Sequence, residues 1–479
     1  MGNMRDDDAG GYTRREFLRN AGLVAAAGPA LVSAATAATA ATPTTAVGAT
    51  VTTAPSATTA VAATTPTAAT TVIAATTAAS RPVARTDKVR IGVVGGGFGR
   101  YFQWHLHPDA SVVAVCDKRE DRLQLLKQTY GASSGYKDYH EFLKHPRLEA
   151  VALFTPAPFH VDMAVAALKA GKHVISAVPA GLSVEELERL LEAVRSSGLK
   201  YMMAETSRYR PQVLTCMAMM KRGEFGNIFY SEAEYHHTGL APYAYGTSFD
   251  CQSCTFIQSI DQVKKQNIDV SKLVPTWSWG YPPMLYPTHC TGMILPVIQE
   301  RFVEVTAHGW GDGHEMLKKN TYGNNPFFHT VGLFKTSKGN SARISIGWHI
   351  AAGGTERGVF YGDRGSYIMS RPEGSPDTLV IQKDATDSPF GLYAGETESR
   401  EFQEPAHTEM LPEALRVKSA HGGSHPHITH EFIRCIIEDR KPDVDVYEAI
   451  AYTLPGIMAH QSALAGGRTL AIRDYSTTT

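Results

Sequence analysis

The chain carries almost no net charge and few cysteines. Its formal charge is −1 over 479 residues, so it offers no polycationic surface for nucleic acid. Six cysteines are too few for a disulfide scaffold, and their spacing does not fix a pairing. Outside the N-terminus no apolar run is long enough for a conventional membrane span. Residues 34–86 are almost entirely Ala, Thr, Val and Pro and lack the large side chains needed for a core. They read as a tether, 41–86, outside the folded part.

What precedes the tether is an address. Thr13-Arg14-Arg15-Glu16-Phe17-Leu18 is a twin-arginine pattern, and the apolar, Ala-rich stretch Ala21–Ala38 follows it. Residues 1–40 are therefore expected to engage the twin-arginine (Tat) export machinery and deliver a periplasmic or extracytoplasmic protein. The segment is either cleaved or kept as an anchor. Twin-arginine systems move folded proteins, so a cofactor can be loaded before export. Outside the cell there is no pool to exchange with, and such a cofactor must be held tightly and restored within each cycle.

The folded part is organised around Val89-Arg90-Ile91-Gly92-Val93-Val94-Gly95-Gly96-Gly97-Phe98-Gly99-Arg100. This reads as a buried parallel strand, a glycine turn and the start of a helix. Gly95 and Gly97 allow a tight turn and close approach to a pyrophosphate, with Phe98 in the turn, and the amides opening the helix hold the anion. The third glycine of the dinucleotide fingerprint should fall at Arg100, whereas Gly99 sits one place early. About twenty residues on, the strand Val112–Val115 ends at Asp117, placed to accept hydrogen bonds from ribose hydroxyls. A carboxylate there favours NAD over NADP, although Lys118 and Arg119 soften the preference. Asp117 also reads as a helix cap.

Strand and helix then alternate. Ala150–Phe154, His173–Ser176 and Leu199–Ala204 read as strands. Asp138–Lys144 and His160–Ala170 read as helices, and Ser183 with Glu186 forms a capping box for a third. This is a doubly wound parallel sheet over residues 87–208. Beyond Tyr209-Arg210-Pro211 the character changes. Asn227–His236, Val303–His308, Phe328–Phe334, Ala342–His349 and Gly358–Tyr361 read as short strands, and Thr429–Glu438 and Val446–Leu464 as helices, the latter kinked at Pro455. The expected class is α/β plus α+β: a Rossmann domain followed by an open mixed, mostly antiparallel sheet over 209–474.

The glycine turn, Asp117, the Thr155-Pro156-x-x-x-His160 segment and the Gly-Lys-His-Val strand together resemble the Gfo/Idh/MocA oxidoreductases, relatives of glucose–fructose oxidoreductase and inositol dehydrogenase. The resemblance covers residues 88–474. It implies an NAD cofactor whose nicotinamide side is lined by Thr155, Pro156, His160, Val178 and Pro179. It also implies a second sheet that serves homo-oligomer contacts. The family carries Glu-Lys-Pro where this chain has Ala177-Val178-Pro179, so the lysine that assists proton transfer is absent.

Tyr286-Pro287-Thr288-His289 opens an apolar helix. By resemblance His289 is the acid/base facing the sugar carbon, with Tyr286 close by; imidazole suits that task near neutral pH. The aspartate that commonly orients this histidine would fall at Leu285. His421-Gly422-Gly423-Ser424-His425-Pro426-His427 reads as a glycine-rich loop that brings His425 to a sugar hydroxyl or else stays exposed. A metal is not expected there, because no carboxylate or cysteine completes a site. His237, after the first strand of the second sheet, falls where relatives carry substrate residues. Cys251 and Cys254 lie in an apparent insertion, 240–280, followed by Trp277, Trp279 and Tyr281, which suit either sugar stacking or satellite core.

Val-Pro-Ala, Tyr-Pro-Thr-His, the Gly-Gly-x-His loop and Asp445-Val446-Tyr447 are similar to one branch, the NAD-dependent α-N-acetylgalactosaminidases. There a sugar carbon is oxidised, the glycosidic bond eliminated, water added and the hydride returned. Three classes follow for this chain: a sugar or polyol oxidoreductase with net redox change, a redox-neutral glycosidase, and a silent carbohydrate-binding relic.

Overall fold

The computed structural model describes residues 87–237, 245–246, 264–265, 267, 269, 273–351, 354–371, 374–383 and 397–476. The twin-arginine segment, the tether and Cys251 and Cys254 lie outside the described residues. β1 (Val89–Val94) is central to its sheet because it is apolar on both faces, and Val89, Ile91, Val93 and Val94 are all buried. Around it stand β2 (Ala110–Cys116), β3 (Ser134–Tyr136), β4 (Ala150–Leu153), β5 (His173–Ser176) and β6 (Tyr201–Met203). Their order is β3-β2-β1-β4-β5-β6, parallel throughout. The order reverses between β1 and β4, which opens a crevice at the carboxyl ends of those strands. Helices α1 (Glu120–Tyr130), α2 (Tyr139–Leu143), α3 (His160–Lys169) and α4 (Val184–Ser197) follow successive strands. The α4 cap forms as expected, with Ser183 Oγ accepting from Glu186 N at 3.2 Å.

The glycine turn does not open a long helix. The chain makes two three-residue 3₁₀ turns, Gly99–Tyr101 and Trp104–Leu106, before β2. Phe102, Trp104 and His107 are all buried, a spacing no α-helix face supplies. The place beside β1 is taken by a helix from the far end of the chain, α8 below, whose Phe432 meets Trp104 ring to ring at 6.1 Å.

After α5 (Pro211–Lys221) the second sheet begins with β7 (Ile228–His236). A small ladder, β8 (Tyr245–Gly246) with β9 (Val274–Pro275), stands apart. The helix α6 (Thr288–Ile298) is mostly apolar and buried along its whole length. Then follow β10 (Phe302–Trp310), α7 (Glu315–Lys318), β11 (His329–Thr336), β12 (Ser341–Gly347), β13 (Thr355–Gly362), β14 (Gly365–Ile368), β15 (Thr378–Gln382) and β16 (Thr397–Glu401). Helices α8 (Ser424–Ile437) and α9 (Val446–Leu464), and β17 (Leu470–Ala471), close the chain. The nine strands order β16-β15-β14-β13-β7-β12-β11-β10-β17. Only β7 and β12 run parallel, so the sheet is mixed and mostly antiparallel. Pro455 lies inside α9, which is assigned as one helix across it.

The described residues belong to one compact unit. α8 packs on β1 and α9 on β6, so the second half of the chain completes the first. The segment expected as a loop at 421–427 is mostly helix. Only His421–Gly423 turns, and α8 starts at Ser424.

Candidate active site

A cleft of about 890 Å³ runs from the carboxyl ends of β1 and β2 to the mouth of the second sheet. Its first half is built by the glycine turn. Gly95 has φ +94°, and a Cβ there would meet the Phe154 carbonyl oxygen at 2.3 Å, so only glycine fits. Gly99 does the work of the displaced third glycine, since its Cβ would press on Phe154 at 3.0 Å and Val93 at 3.1 Å. Gly97 has no backbone crowding it and borders the cleft.

Asp117 ties this turn to β2. Its Oδ2 accepts from Gly96 N at 2.7 Å and its Oδ1 from Arg119 N at 2.8 Å. Burial raises its pKa, opposed by those two N–H groups and by Arg122. It does not cap α1, whose N-cap position is Arg119.

Gly95, Gly97, Phe98, Asp117, Thr155, Pro156 and Val178 line the cleft. His160 and Pro179 do not, contrary to the expectation that they border nicotinamide. The His160 ring is buried beneath the wall, with Nδ1 on the Pro179 carbonyl at 2.8 Å and Nε2 on the Thr155 carbonyl at 2.7 Å. It joins the two loops that form the wall. A dinucleotide fits this half. The turn is closed to a side chain at Gly95 and Gly96 and open at Gly97, an acid stands just past the end of β2, and the Thr155 and Thr206 hydroxyls, both on the cleft wall, are buried without a protein partner.

The second half is walled by rings. Tyr235, His237, Trp277, Tyr281, Tyr286, His289 and Trp348 line it. Tyr235 stacks on Tyr286 at 5.8 Å and meets His289 at 4.6 Å and His237 at 4.7 Å between centroids. Trp279 is not part of the wall. It donates to the Lys319 carbonyl at 2.8 Å and packs with Met316, Leu317 and Phe328. The lysines bordering the cleft are Lys118 and Lys137, near Asp117, and Val178 fills the position of the expected one.

His289 has an orienter after all. In place of residue 285, Glu205 reaches it from the end of β6, with Oε1 2.8 Å from His289 Nδ1. Glu205 fits because α6 carries Gly292 there; a Cβ at Gly292 would lie 2.5 Å from Glu205 Cγ. Ser207 N donates to the same carboxylate oxygen at 2.8 Å. Ser207 Oγ donates to Glu356 and lies 3.3 Å from His289 Nδ1. Arg210 closes the network on Glu356. Burial disfavours charge on both members, but the mutual attraction prevails. The pKa of His289 is raised by the Glu205 carboxylate, and that of Glu205 is lowered by His289 and the Ser207 N–H. His289 thus keeps Nδ1 on the carboxylate, which leaves Nε2 as the ring nitrogen available to the cleft.

His425 is the misplaced residue. It does not border the cleft but is fully buried in α8, stacked on Phe102 at 4.3 Å. His421 borders the cleft in its stead. Sequence reasoning also missed Glu205, Ser207, Tyr235, Trp348 and Glu356. The first two follow β6, where strand-end position is a signal for ligand contact; the others have none. Among the described residues no group of three His, Cys, Asp or Glu is arranged for a metal.

These features define a Rossmann-type dinucleotide cradle joined to a ring-walled chamber. Residues 89–205 match the GFO_IDH_MocA family, described as "Oxidoreductase family, NAD-binding Rossmann fold". Over most of its length the chain is similar to a glycosyl hydrolase family 109 protein of Streptomyces niveus, 24% identical over 429 residues, 83% of this chain and 79% of that one. It is 22% identical over 409 residues to an alpha-N-acetylgalactosaminidase of Shewanella oneidensis, 79% of this chain and 83% of that one. In fold it matches a levoglucosan dehydrogenase solved with NADH and levoglucosan, with TM-score 0.61, 17% identity, and coverage of 81% of this chain and all of that one.

Proposed function

We propose that the protein holds NAD in the glycine-turn half of the cleft and moves hydride between it and a carbon of a neutral sugar or polyol. The observation that carries this reading is the Glu205–His289 couple, directed into the same cleft as the dinucleotide half. The cofactor supplies hydride chemistry when bound. The chain supplies binding and protons. Gly95–Phe98 and Asp117 hold the dinucleotide, and Thr155, Pro156 and Val178 form the wall at its reactive end. Tyr235, Tyr286 and Trp348 present faces to a sugar ring and exclude water. His289, held by Glu205, hydrogen-bonds a substrate oxygen and supplies a proton where negative charge develops, and Glu205 steadies the imidazolium. The carboxylate at Asp117 favours NAD over NADP through repulsion of a 2′-phosphate.

A second reading is redox-neutral glycoside cleavage, with oxidation, elimination, water addition and reduction in one turnover. The names of the relatives that span most of the chain favour it. The twin-arginine pattern favours it as well, since an exported enzyme gains from restoring its cofactor each cycle. We extend the proposal to Tat export and to a homo-oligomer formed through the outer face of the second sheet, where Trp310 and Leu333 are exposed.

The test is to purify the full chain without added cofactor, release small molecules by denaturation and quantify NAD(H) and NADP(H) by mass. The protein is then offered p-nitrophenyl α-N-acetylgalactosaminide and a panel of free sugars. Bound NAD with nitrophenol release supports cleavage; ketosugar with NADH supports net oxidation. Protein that neither contains nor binds dinucleotide refutes both. Reporter fusion to residues 1–40 and light scattering test export and assembly.

A further inference from the structure

The Glu205 carboxylate favours the protonated form of His289, and Val178 leaves no lysine at the place where the resemblance expects one. A hydroxyl giving up hydride also gives up a proton, so the chamber requires a neutral base.

His421 has the required geometry. It borders the cleft, and its ring meets the Phe98 ring of the glycine turn at 5.5 Å. Its proton positions follow from its partners. The Tyr101 carbonyl can only accept, so His425 Nδ1 donates to it, at 2.9 Å. His425 is fully buried beside three aromatic rings, and burial lowers its pKa to about 4, which keeps it neutral. Its Nε2 is therefore a lone pair, and His421 Nδ1, 2.9 Å away, must donate to it. Neutral His421 then carries no proton on Nε2, which makes no hydrogen bond among the described residues.

The turn that carries it is left-handed throughout. His421 has φ +52°, followed by Gly422 at +66° and Gly423 at +92°. Histidine adopts the left-handed region more readily than most non-glycine residues. The groups facing His421 are the His289 imidazole, the Glu356 and Glu205 carboxylates, the Arg210 guanidinium and His425. Burial and the charge on His289 lower its pKa, against the pull of Glu356. Two titratable groups of one chamber are thus pushed apart, the pattern of an acid paired with a base.

We propose that His421 is the catalytic base of this chamber and that His425, through its bond to the Tyr101 carbonyl, is the positioning residue that fixes the His421 tautomer. In the oxidative direction the substrate O–H proton goes to His421 Nε2, and the O–H electron pair forms the carbonyl. The C–H electron pair leaves as hydride, so the carbinol carbon is oxidised and the nicotinamide reduced. The imidazolium formed keeps Nδ1–H on His425. This rests on the hydride-transfer reading above, but its geometric part is testable without a substrate.

The experiment uses the full chain labelled with ¹⁵N-histidine. Long-range ¹H–¹⁵N spectra are recorded from pH 5.5 to 8, with His421→Gln and His289→Gln used for assignment. The proposal expects a neutral His421 with the proton on Nδ1 at pH 7. In His425→Phe, which keeps the ring stack and deletes both hydrogen bonds, His421 should become a mixture of tautomers. A His421 protonated on Nε2 at pH 7, or unaltered by His425→Phe, overturns the assignment. Turnover of the p-nitrophenyl glycoside adds the second readout. His421→Gln should lower kcat at least about 100-fold with NAD content intact. His425→Phe should lower kcat about 10-fold with little change in KM and shift the acidic limb of the pH profile, while His425→Gln should recover part of the loss. Unchanged kcat in His421→Gln overturns the base role. If the wild type turns over no sugar, the functional reading fails and the base role falls with it, but the tautomer result still stands or falls independently.

Discussion

The two halves of the cleft are assembled by different means. The dinucleotide half is built mainly from short contiguous runs at strand ends, residues 95–98, 117 and 155–156. Each is placed by the turn that follows its strand. The reaction half draws one or two wall residues from each of several elements, Tyr235 and His237 at the end of β7, His289 in α6, Trp348 after β12 and His421 before α8, with Glu205 after β6 and Glu356 in β13 bonded behind them. Backbone geometry fixes the first half; packing of distant elements fixes the second. Conformational strain should therefore break the first half, and loss of a partner group the second.

Acid tests the seam between them. His107, His425, His427 and His460 are buried, each with its pKa lowered by burial to about 4. Unfolded, each binds a proton near pH 6.5, so stability should be full above that pH and fall as pH drops from 6.5 towards 4. Each group forfeits up to about 3 kcal/mol. The first three lie around α8, where His107 bonds His430, His425 stacks on Phe102 and His427 stacks on Tyr209. Thermal unfolding followed from pH 7.5 to 4 should show Tm collapsing in that window, and hydrogen exchange should show α8 loosening first. A flat Tm would mean the histidines are solvated.

Next in size is Glu205→Gln. It keeps the shape of the couple and removes its charge. Turnover should fall about 10³-fold, and the limb set by His289 should move to lower pH because the carboxylate that raises its pKa is gone. NAD content should hold. Loss of NAD instead would show that the two halves are not separable in function.

Gly95→Ala should do the reverse. With φ +94° and the Phe154 carbonyl in the way, the substitution should cost about 3 kcal/mol and abolish NAD retention, as read by calorimetry and by mass of released cofactor. The smallest effect is expected from Asp117→Asn. It keeps an acceptor for one backbone N–H but loses the charge, weakening NAD binding about 10-fold and narrowing the preference over NADP in titration calorimetry.

The contrast between the halves also explains what was legible in the sequence. β5 and α9 fall at their expected bounds, and most other strands within a few residues, because their apolar periods and caps are local. The helix expected after Gly99 failed for a tertiary reason, since Phe102 and Trp104 are spent on α8 rather than on a helix face of their own. The displaced glycine was visible, but its contact with Phe154 was not. Tyr286, His237 and His289 were identified and do line the cleft. Glu205 went unseen because its partnership depends on Gly292, 87 positions away. His425 was preferred to His421 because the loop was drawn too long, and helix α8 begins inside it.

The helix from the chain's end that lies against β1 has a consequence for how the protein is made. Chain emerging from the ribosome presents the glycine strand and its neighbours long before residues 424–437 exist. Until they arrive, Phe102 lacks His425 and Trp104 lacks Phe432, and only their contacts with each other and with Phe98 and Phe154 remain, so the nucleotide-binding half is incompletely packed as a co-translational unit. Completion of the dinucleotide cradle is a late, whole-chain event with high sequence separation. A fragment ending near residue 208 should be insoluble or chaperone-bound, and cofactor capture should report that synthesis has finished.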